Sequence, residues 1–285
     1  MFLQKFSKLM LVVLAVSMIA ALALAAGPYN FAYRFQKGQR LKYMTSVKTD
    51  QSMEMMGQEM TSVVEGASLM HFDVEEVDKD GNVTIVYALD SLSTHVKSQN
   101  PPMDSTFRNP EGLLGKRTRQ VMSALGKKIK ATVVDSVKLS GMAAQMGGQH
   151  SSLHLIEFPG KDVKLGETWQ IARTDTLEQG GGKVVLSPDH TYTVGAEVDT
   201  LGYKCVRISY SGTMKIKGEG KNMGMNFFVE GEGPSSGVAY FATKDGLLIA
   251  ATNNADLEMT IALTGQMSMT IPQSTSTKTV VTLVK

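Results

Sequence analysis

The sequence predicts an all-β protein with one helix, folded as a large curved antiparallel sheet or half-barrel. From Leu41 onward apolar and polar residues alternate, and this period of two is typical of strands with one buried face. Gly, Asp and Asn recur between the alternating stretches, and these residues accept the backbone angles of tight hairpin turns. Many strands joined by such turns favour an antiparallel sheet, which the twist of long strands curves.

The first two strands are predicted to form a long, bent hairpin around Gly57 and Gln58. The first is predicted to bury Leu41, Tyr43, Val47, Met53 and Met55, and the second Met60, Val64, Met70, Phe72 and Val74. A turn over residues 78–82 leads into a third strand over residues 83–96. The hairpin therefore has one apolar face and one polar face.

A different pattern predicts the one helix, over residues 111–125. Its apolar residues fall at helical spacings: Leu113, Leu114, Val121, Met122 and Leu125. Strand-like spacing resumes at Ile129. Residues 141–154 include a Gly-, Met- and Gln-rich stretch without a clear period, which predicts a flexible connection.

The second half of the chain returns to strands and contains an echo of the first half. Gly38 and Gly166 each precede a strand, and Asp78 and Asp199 each precede a later hairpin turn. This echo predicts a duplication, with halves 27–140 and 155–285. The alternative is one undivided β domain over residues 27–285, in which turn residues recur for local reasons.

Residues 1–26 are predicted to be a secretory signal peptide. Lys5 and Lys8 precede an apolar run that ends in small residues. Cleavage is allowed after Ala25 or Ala26, and the second position is preferred. The alternative is an uncleaved anchor, because the run approaches the roughly 20 residues that span a bilayer. The mature chain is therefore expected to be exported, to the periplasm or outside the cell.

The composition predicts a neutral mature chain. The sequence has 29 basic and 27 acidic residues, and loss of the leader with its two lysines leaves 27 of each. Nucleic acid is not an expected partner, because its binding normally needs a net basic surface. The single cysteine, Cys205, cannot form an internal disulfide, and no cysteine stands at the cleavage point to carry a lipid. Membrane contact is expected only peripherally or through an uncleaved leader.

Four residues in the run from Phe158 to Trp169 form a Pro, Val, Gly, Trp signature: Pro159, Val163, Gly166 and Trp169. The run resembles a family of secreted bacterial proteins and lipoproteins of unknown function. The resemblance extends to the strand over residues 38–43, the turn at residues 80–81 and the segment 126–134. It implies export and β architecture, and it implies no activity. Many such proteins carry a lipid-attachment cysteine after the leader, which this sequence lacks.

Nineteen methionines are the most unusual feature of the composition. The candidate ligand-binding residues are Met53, Met55, Met60, Met267, Met269 and the only tryptophan, Trp169. Met side chains adapt to varied apolar partners, so a Met-lined concavity could accept lipid acyl chains or an apolar peptide. Two alternatives stay open for the methionines: they fill the core, or paired thioethers bind Cu(I). Trp169 alternates with Ile171, and the alternative to a ligand-stacking role is that it anchors a sheet edge in the core. No resident metal or cofactor is expected.

Catalytic motifs are not recognised in the sequence. His150 and His154 are four residues apart but lack further metal ligands nearby, and Cys205 has no histidine close in sequence. An enzyme would need an acid–base pair in a cleft, such as His71 or His95 with Asp73 or Asp90. A basic run over residues 116–130 is either a solvated surface or a patch for anionic partners.

These observations predict a non-catalytic binding or scaffolding protein of the cell envelope. Its partner is expected to be an apolar small molecule, such as a lipid, held on a concave Met-rich face, or an envelope protein. The alternatives are a structural or protein-interaction module without a ligand, and a hydrolase without a recognisable motif. A ligand-sized cavity would favour the first function, and a packed interior with an exposed apolar patch the second.

Overall fold

The computed structural model describes residues 28–55, 57–99, 104–109, 112–135, 155–179, 182–222, 225–265 and 268–285. Several features predicted from the sequence lie outside these residues. They are the signal peptide, Met267, and the connection over residues 141–154 with His150 and His154. All regular elements in the described ranges are strands. In the same ranges, no helix is long and apolar enough to cross a membrane.

Within the described residues thirteen strands pair into one antiparallel sheet, which confirms the predicted all-β fold. The strands are β1 (Arg40–Met55), β2 (Gln58–Val77), β3 (Val83–Ser98), β4 (Ser105–Arg108), β5 (Thr118–Met122), β6 (Lys128–Val133), β7 (Thr168–Ala172), β8 (Asp175–Gln179), β9 (Gly182–Thr200), β10 (Tyr203–Asn222), β11 (Met225–Ala242), β12 (Leu247–Thr264) and β13 (Met269–Val284). Their order is β6-β5-β3-β2-β1-β13-β12-β11-β10-β9-β7, with β4 on β3 and β8 on β9. The two halves proposed from the sequence share this sheet, and the duplication itself stays a prediction.

The sheet curls until side chains of its two edges come into contact. β6 lies at one end of the strand order, and β7 and β8 both pair with β9 at the other end. Lys128 Nζ in β6 is nevertheless 2.6 Å from Asp175 Oδ1 in β8. We call the boundary between these two edges the seam. One face of the sheet is therefore concave, and the twist of its long strands accounts for the curvature.

The core lies at one end of the long strands. We call this the near end; it holds the β2–β3, β9–β10 and β11–β12 connections, whereas the β1–β2, β10–β11 and β12–β13 hairpins lie at the far end. Tyr43 lies opposite Met70, and Leu41 opposite Phe72, and all four side chains are buried in the core, as the alternation predicts. We call the face that carries them the inner face and the opposite face the outer face.

Two irregular segments, 28–35 and 155–163, close the near end. The backbone N–H of Tyr33 donates to Ala124 O (2.7 Å), and that of Phe158 donates to Leu125 O (2.8 Å). The aromatic side chains of these segments and of the sheet form a cluster that we call the plug: Phe31, Tyr33, Phe158, Trp169 and Phe241. Ring pairs of this kind add to the stability that burial provides.

The predicted helix over residues 111–125 is wrong. The structure describes residues 112–125 of it as a turn followed by β5. Gly112 and Gly115 have φ angles of 78° and 69°, in the left-handed region, which a right-handed helix excludes. β5 pairs with β3 and β6, and Met122 at its end is fully buried. The apolar spacing here reflects burial at a turn and in a strand, and such short runs are ambiguous by periodicity alone.

Candidate ligand-binding face

The inner face changes character along the strands. At the near end buried core side chains fill it, and the cavity left between Tyr43, Phe72 and Met122 measures about 20 Å³, close to the space of one water molecule. The middle carries mainly small polar side chains, among them Thr45, Thr49, Ser68, Ser235, Asn253, Thr277 and Thr279. The far end is apolar again, with Met53, Met60, Met214, Phe227, Val229, Met259, Ile261, Leu263 and Met269. We call this last zone the far inner face.

The described methionines among the predicted ligand-binding residues all lie on the far inner face. Met53 is directly opposite Met60, and Met55 lies one step further along the same face of β1. Met269 is opposite Leu263 in the neighbouring hairpin. These four methionines and Leu263 are partly exposed, in contrast to the buried side chains of the plug. The concave surface therefore keeps apolar area that the chain described here does not cover.

One transverse row shows how continuous this surface is. Cross-strand partners on the inner face run from β9 to β2 in the order Leu186, Ile216, Gly231, Met259, Gln273, Met53 and Met60. Directly opposite residues in antiparallel strands share a face, so these side chains form one band. At about 4.8 Å between strands, the band is roughly 29 Å long, enough for an extended hydrocarbon chain.

Glycines give this band its depth. A Cβ at Gly231 would overlap Met259 Cγ, and one at Gly220 would lie 2.6 Å from the ring of Phe227. The Met and Phe side chains therefore lie flat against glycine backbone, which brings them close to the sheet. Inward glycines also permit the sharp bending that a strongly curved sheet needs.

Trp169 lies in the plug, away from the methionines. Its ring stacks on Tyr192 at 5.2 Å, and its Nε1 donates to Glu157 O (3.1 Å). Tyr192 belongs to the inner row that includes Val47, which is roughly 20 Å along β1 from Met53. The structure thus does not bring Trp169 and the predicted methionines into one site.

The outer face is polar. Its long strands carry cross-strand ion pairs between Lys217 and Glu230 (2.8 Å) and between Lys215 and Glu232 (3.7 Å). The pair with Lys217 lowers the pKa of Glu230, through the hydrogen bond first and the charge second. Since these side chains are highly exposed, this part of the outer face is a water-facing surface.

A charged group borders the inner face at the seam, and the sequence prediction missed it. Arg173 Nε is 3.0 Å from Asp175 Oδ2, whose other oxygen accepts from Lys128 Nζ at 2.6 Å. The signal was present, because Arg173 continues the inward register of Trp169 and Ile171. A cation in an inward register is unusual and indicates a partner.

His190 lies beside this group on the inner face. It is opposite Gly212 and next to the ring of Tyr210, at 5.1 Å. Its side chain is buried, and its Nε2 lacks a hydrogen-bond partner within the described residues. Burial and, to a smaller extent, the charge of Arg173 lower its pKa, so the imidazole is neutral near pH 7.

The acid–base pair considered for an enzyme does form, on the outer face. His71 Nδ1 is 2.6 Å from Asp90 Oδ1, and Asp90 is the extra residue of a bulge between β2 and β3. The same carboxylate is 4.0 Å from Lys42, and Asp73 makes a bidentate pair with Arg40. The geometry is that of an ion-pair network. His95, the other histidine that was predicted as a candidate, contacts the Thr106 hydroxyl instead (2.8 Å).

Cys205 is buried at the near end, with 1% of its surface exposed. Burial raises the pKa of its thiol to about 11, so the unreactive thiol form prevails at neutral pH. Among the described residues, the His, Cys, Asp and Glu side chains do not cluster in groups of three or more that could hold a metal ion.

Comparison with solved structures finds outer-membrane channels at low similarity. An outer-membrane channel from Pseudomonas putida F1 is 10% identical with a TM-score of 0.31, over 91% of this chain and 100% of that one. OccK5 (OpdH) from Pseudomonas aeruginosa is 6% identical with a TM-score of 0.29, over 87% and 99%. OmpF from Salmonella typhi, in complex with daunomycin, is 8% identical with a TM-score of 0.27, over 87% and 99%. At this level, nothing about the function of this chain follows from them.

Family models and curated proteins give no match to the chain. The resemblance carried by the Pro, Val, Gly, Trp signature therefore stays a prediction. Three signature residues contribute to the fold at the near end. Val163 is fully buried, Gly166 has a φ of 82°, in the left-handed region, and Trp169 is in the plug. The signature thus builds the near end and does not reach the far inner face.

Proposed function

We propose that this protein is an exported, non-catalytic binding protein of the cell envelope that holds an apolar ligand on its far inner face. The observation that carries the proposal is the concave band of partly exposed Met, Leu and Ile side chains between β9 and β2. Concave apolar surfaces with a few polar groups at their edge are the usual form of small-molecule sites. Methionine suits ligands of variable shape, because its side chain is flexible and polarisable.

The distribution of polarity supports a water-soluble holder of the ligand. Strands that cross a bilayer carry apolar side chains outward. Here the outward positions carry ion pairs, such as Lys217 with Glu230, and the inward positions carry the methionines. The apolar band is therefore available to a ligand inside the concavity while the outside stays hydrated.

The first test identifies the ligand class. The protein is purified from its native envelope and its mass is compared under native and denaturing conditions. A lipid or other apolar compound lost on denaturation is the expected result. The measured mass is expected to be that of a chain that begins at Gly27, so the same measurement tests the predicted cleavage of the leader.

The second test places the site on the far inner face. The double variant Met53→Gln, Met60→Gln should weaken binding of the fluorescent apolar reporter N-phenylnaphthylamine at least about tenfold, because two apolar contacts are replaced by polar groups of similar size. The matched control is Met44→Gln, on the outer face of the same strand and 43% exposed. Equal affinities in all three proteins would contradict the proposed site.

A second candidate function is protein docking on the outer face. A groove of about 470 Å³ there includes Val185, Phe228 and Ala262, and Phe228 is 47% exposed. Exposed apolar patches with polar rims often mark protein interfaces. If this is the function, Phe228→Ser should abolish cross-linking to an envelope protein and leave the affinity of the inner face for the reporter unchanged.

A further inference from the structure

The charged group at the seam lies on the same row as the apolar band. Asp175 is directly opposite Leu186, the first residue of that band. Arg173, two residues earlier, extends the inward register of β7, and its backbone N–H donates to Pro188 O (3.1 Å). We call Lys128, Arg173 and Asp175 the seam cluster. It closes the β8 end of the row that leads to Met53.

The seam cluster has a net positive charge. Two cations share one carboxylate, at 2.6 Å from Lys128 and 3.0 Å from Arg173. The side chains of Arg173 and Asp175 are 28% and 17% exposed, so this charge is less screened by water than the exposed pairs of the outer face. The next carboxylate along β9, Asp189, is on the outer face, where it accepts from Gln170 (2.7 Å).

A second, independent observation points to a ligand at this place. His190 is 94% buried on the inner face, and its Nε2 lacks a hydrogen-bond partner within the described residues. A buried nitrogen without a partner is costly, so such atoms call for an explanation. The Nε atom of Arg173 is itself buried, which places the guanidinium toward the interior.

We propose that the ligand is an anionic amphiphile whose oxyanion head, a carboxylate or a phosphate, binds the seam cluster and whose hydrocarbon chain lies along the band toward Met53 and Met60. This inference rests on the proposed function and adds the chemistry of the head group. Guanidinium and ammonium groups form their strongest hydrogen bonds with oxyanions, and a positive group at one end of an apolar band matches a negative group at one end of an apolar chain.

The experiment compares matched ligands that differ in the head group. Laurate, lauryl phosphate, lauryl alcohol and dodecyltrimethylammonium each displace N-phenylnaphthylamine from the full mature protein. Laurate or lauryl phosphate should bind about tenfold more tightly than the alcohol, and the cationic amphiphile should bind most weakly. The carboxylate arm and the phosphate arm distinguish the two head groups. Butyrate and inorganic phosphate should not compete at the same concentrations, because they lack the chain.

Variants locate the head group. Arg173→Met and Lys128→Met should each reduce laurate affinity about tenfold and leave the affinity for lauryl alcohol unchanged. The matched control is Lys217→Met, an ion-paired cation on the outer face, which should change neither affinity. Since Lys128 is 46% exposed, its replacement also keeps the test valid if the Arg173 variant fails to fold.

Each contrary result has its own meaning. Equal affinity for laurate, lauryl phosphate and lauryl alcohol, or unchanged laurate affinity in both seam variants, overturns the head-group site and leaves the apolar site in place. Butyrate or inorganic phosphate competing as well as laurate shows an anion site unrelated to the band, which also overturns the inference. Displacement by none of the amphiphiles overturns the proposed function itself.

Discussion

Single glycines fix where chain segments of this protein can meet. Gly246, in the β11–β12 connection, has a φ of 67°, and its carbonyl accepts the backbone N–H of Arg34 at 3.1 Å. A Cβ at Gly246 would overlap the backbone nitrogen of Arg34. Gly38 has a φ of 82°, but a Cβ at this position would meet no atom within 4 Å beyond its chain neighbours. Comparison of the two glycines therefore separates the effect of backbone strain on stability from the effect of close packing.

We expect Gly246→Ala to lower the free energy of unfolding by about 3 kcal/mol, because left-handed strain adds to displacement of the 28–35 segment. Gly38→Ala, with strain alone, should cost about 1 kcal/mol. Urea denaturation followed by the fluorescence of the buried Trp169 measures both. Equal losses in the two variants would show that the contact with Arg34 does not contribute.

At the level of elements, β5 and β6 illustrate how pairing decides local structure. β5 has a neighbour on each side, β3 and β6, whereas β6 borders the seam. All six residues of β6 are exposed, including Ile129 and Val133 at 55% and 66%. Two lysines in β6 are typical of an edge strand that is protected from pairing with other chains.

Amide hydrogen exchange should therefore separate the two neighbouring strands. We expect the peptide that covers Thr118–Met122 to be strongly protected and the peptide that covers Lys128–Val133 to exchange faster, because an edge strand opens locally at lower cost. Mass spectrometry after short labelling measures this difference. Equally strong protection of both peptides would indicate that β6 pairs with a further strand across the seam.

In the whole molecule, packing is asymmetric along the strands. The near end is filled by the plug, while the far inner face keeps partly exposed apolar side chains such as Met53 and Met259. Regions with fewer buried contacts open at lower free energy. The molecule thus combines a densely packed near end with a far half whose apolar side chains stay partly exposed.

Ligand binding should accordingly protect one end of the molecule more than the other. At short labelling times, laurate is expected to slow exchange in peptides from the β10–β11 hairpin, which its chain reaches from the seam, and to leave the near-end part of β10, over residues 203–208, unchanged. Hydrogen exchange with and without laurate measures this. Lauryl sulfate at concentrations below denaturation serves as a second anionic probe. Protection confined to the near end would contradict binding on the far inner face.

The sequence by itself determined the fold class and the faces of its strands. Alternation with a period of two assigned Tyr43 and Met70 to the core and Met53 and Met60 to the same face, because side chains in a strand point to opposite sides in turn. Turn residues such as Gly81, with a φ of 78°, marked the hairpins for local steric reasons. These properties depend on neighbours in sequence, so a single chain reveals them.

Only the tertiary structure decided what those faces meet. It made a turn and a strand of residues 112–125, put Trp169 in the plug instead of beside the methionines, and joined Lys128 to Asp175 across the seam. The twist of the long strands curves the sheet and brings its two edges together, and the pairing of β1 with β13, which are distant in sequence, joins its two parts. Such contacts have no local signal, because the free energy that selects them comes from burial over the whole sheet.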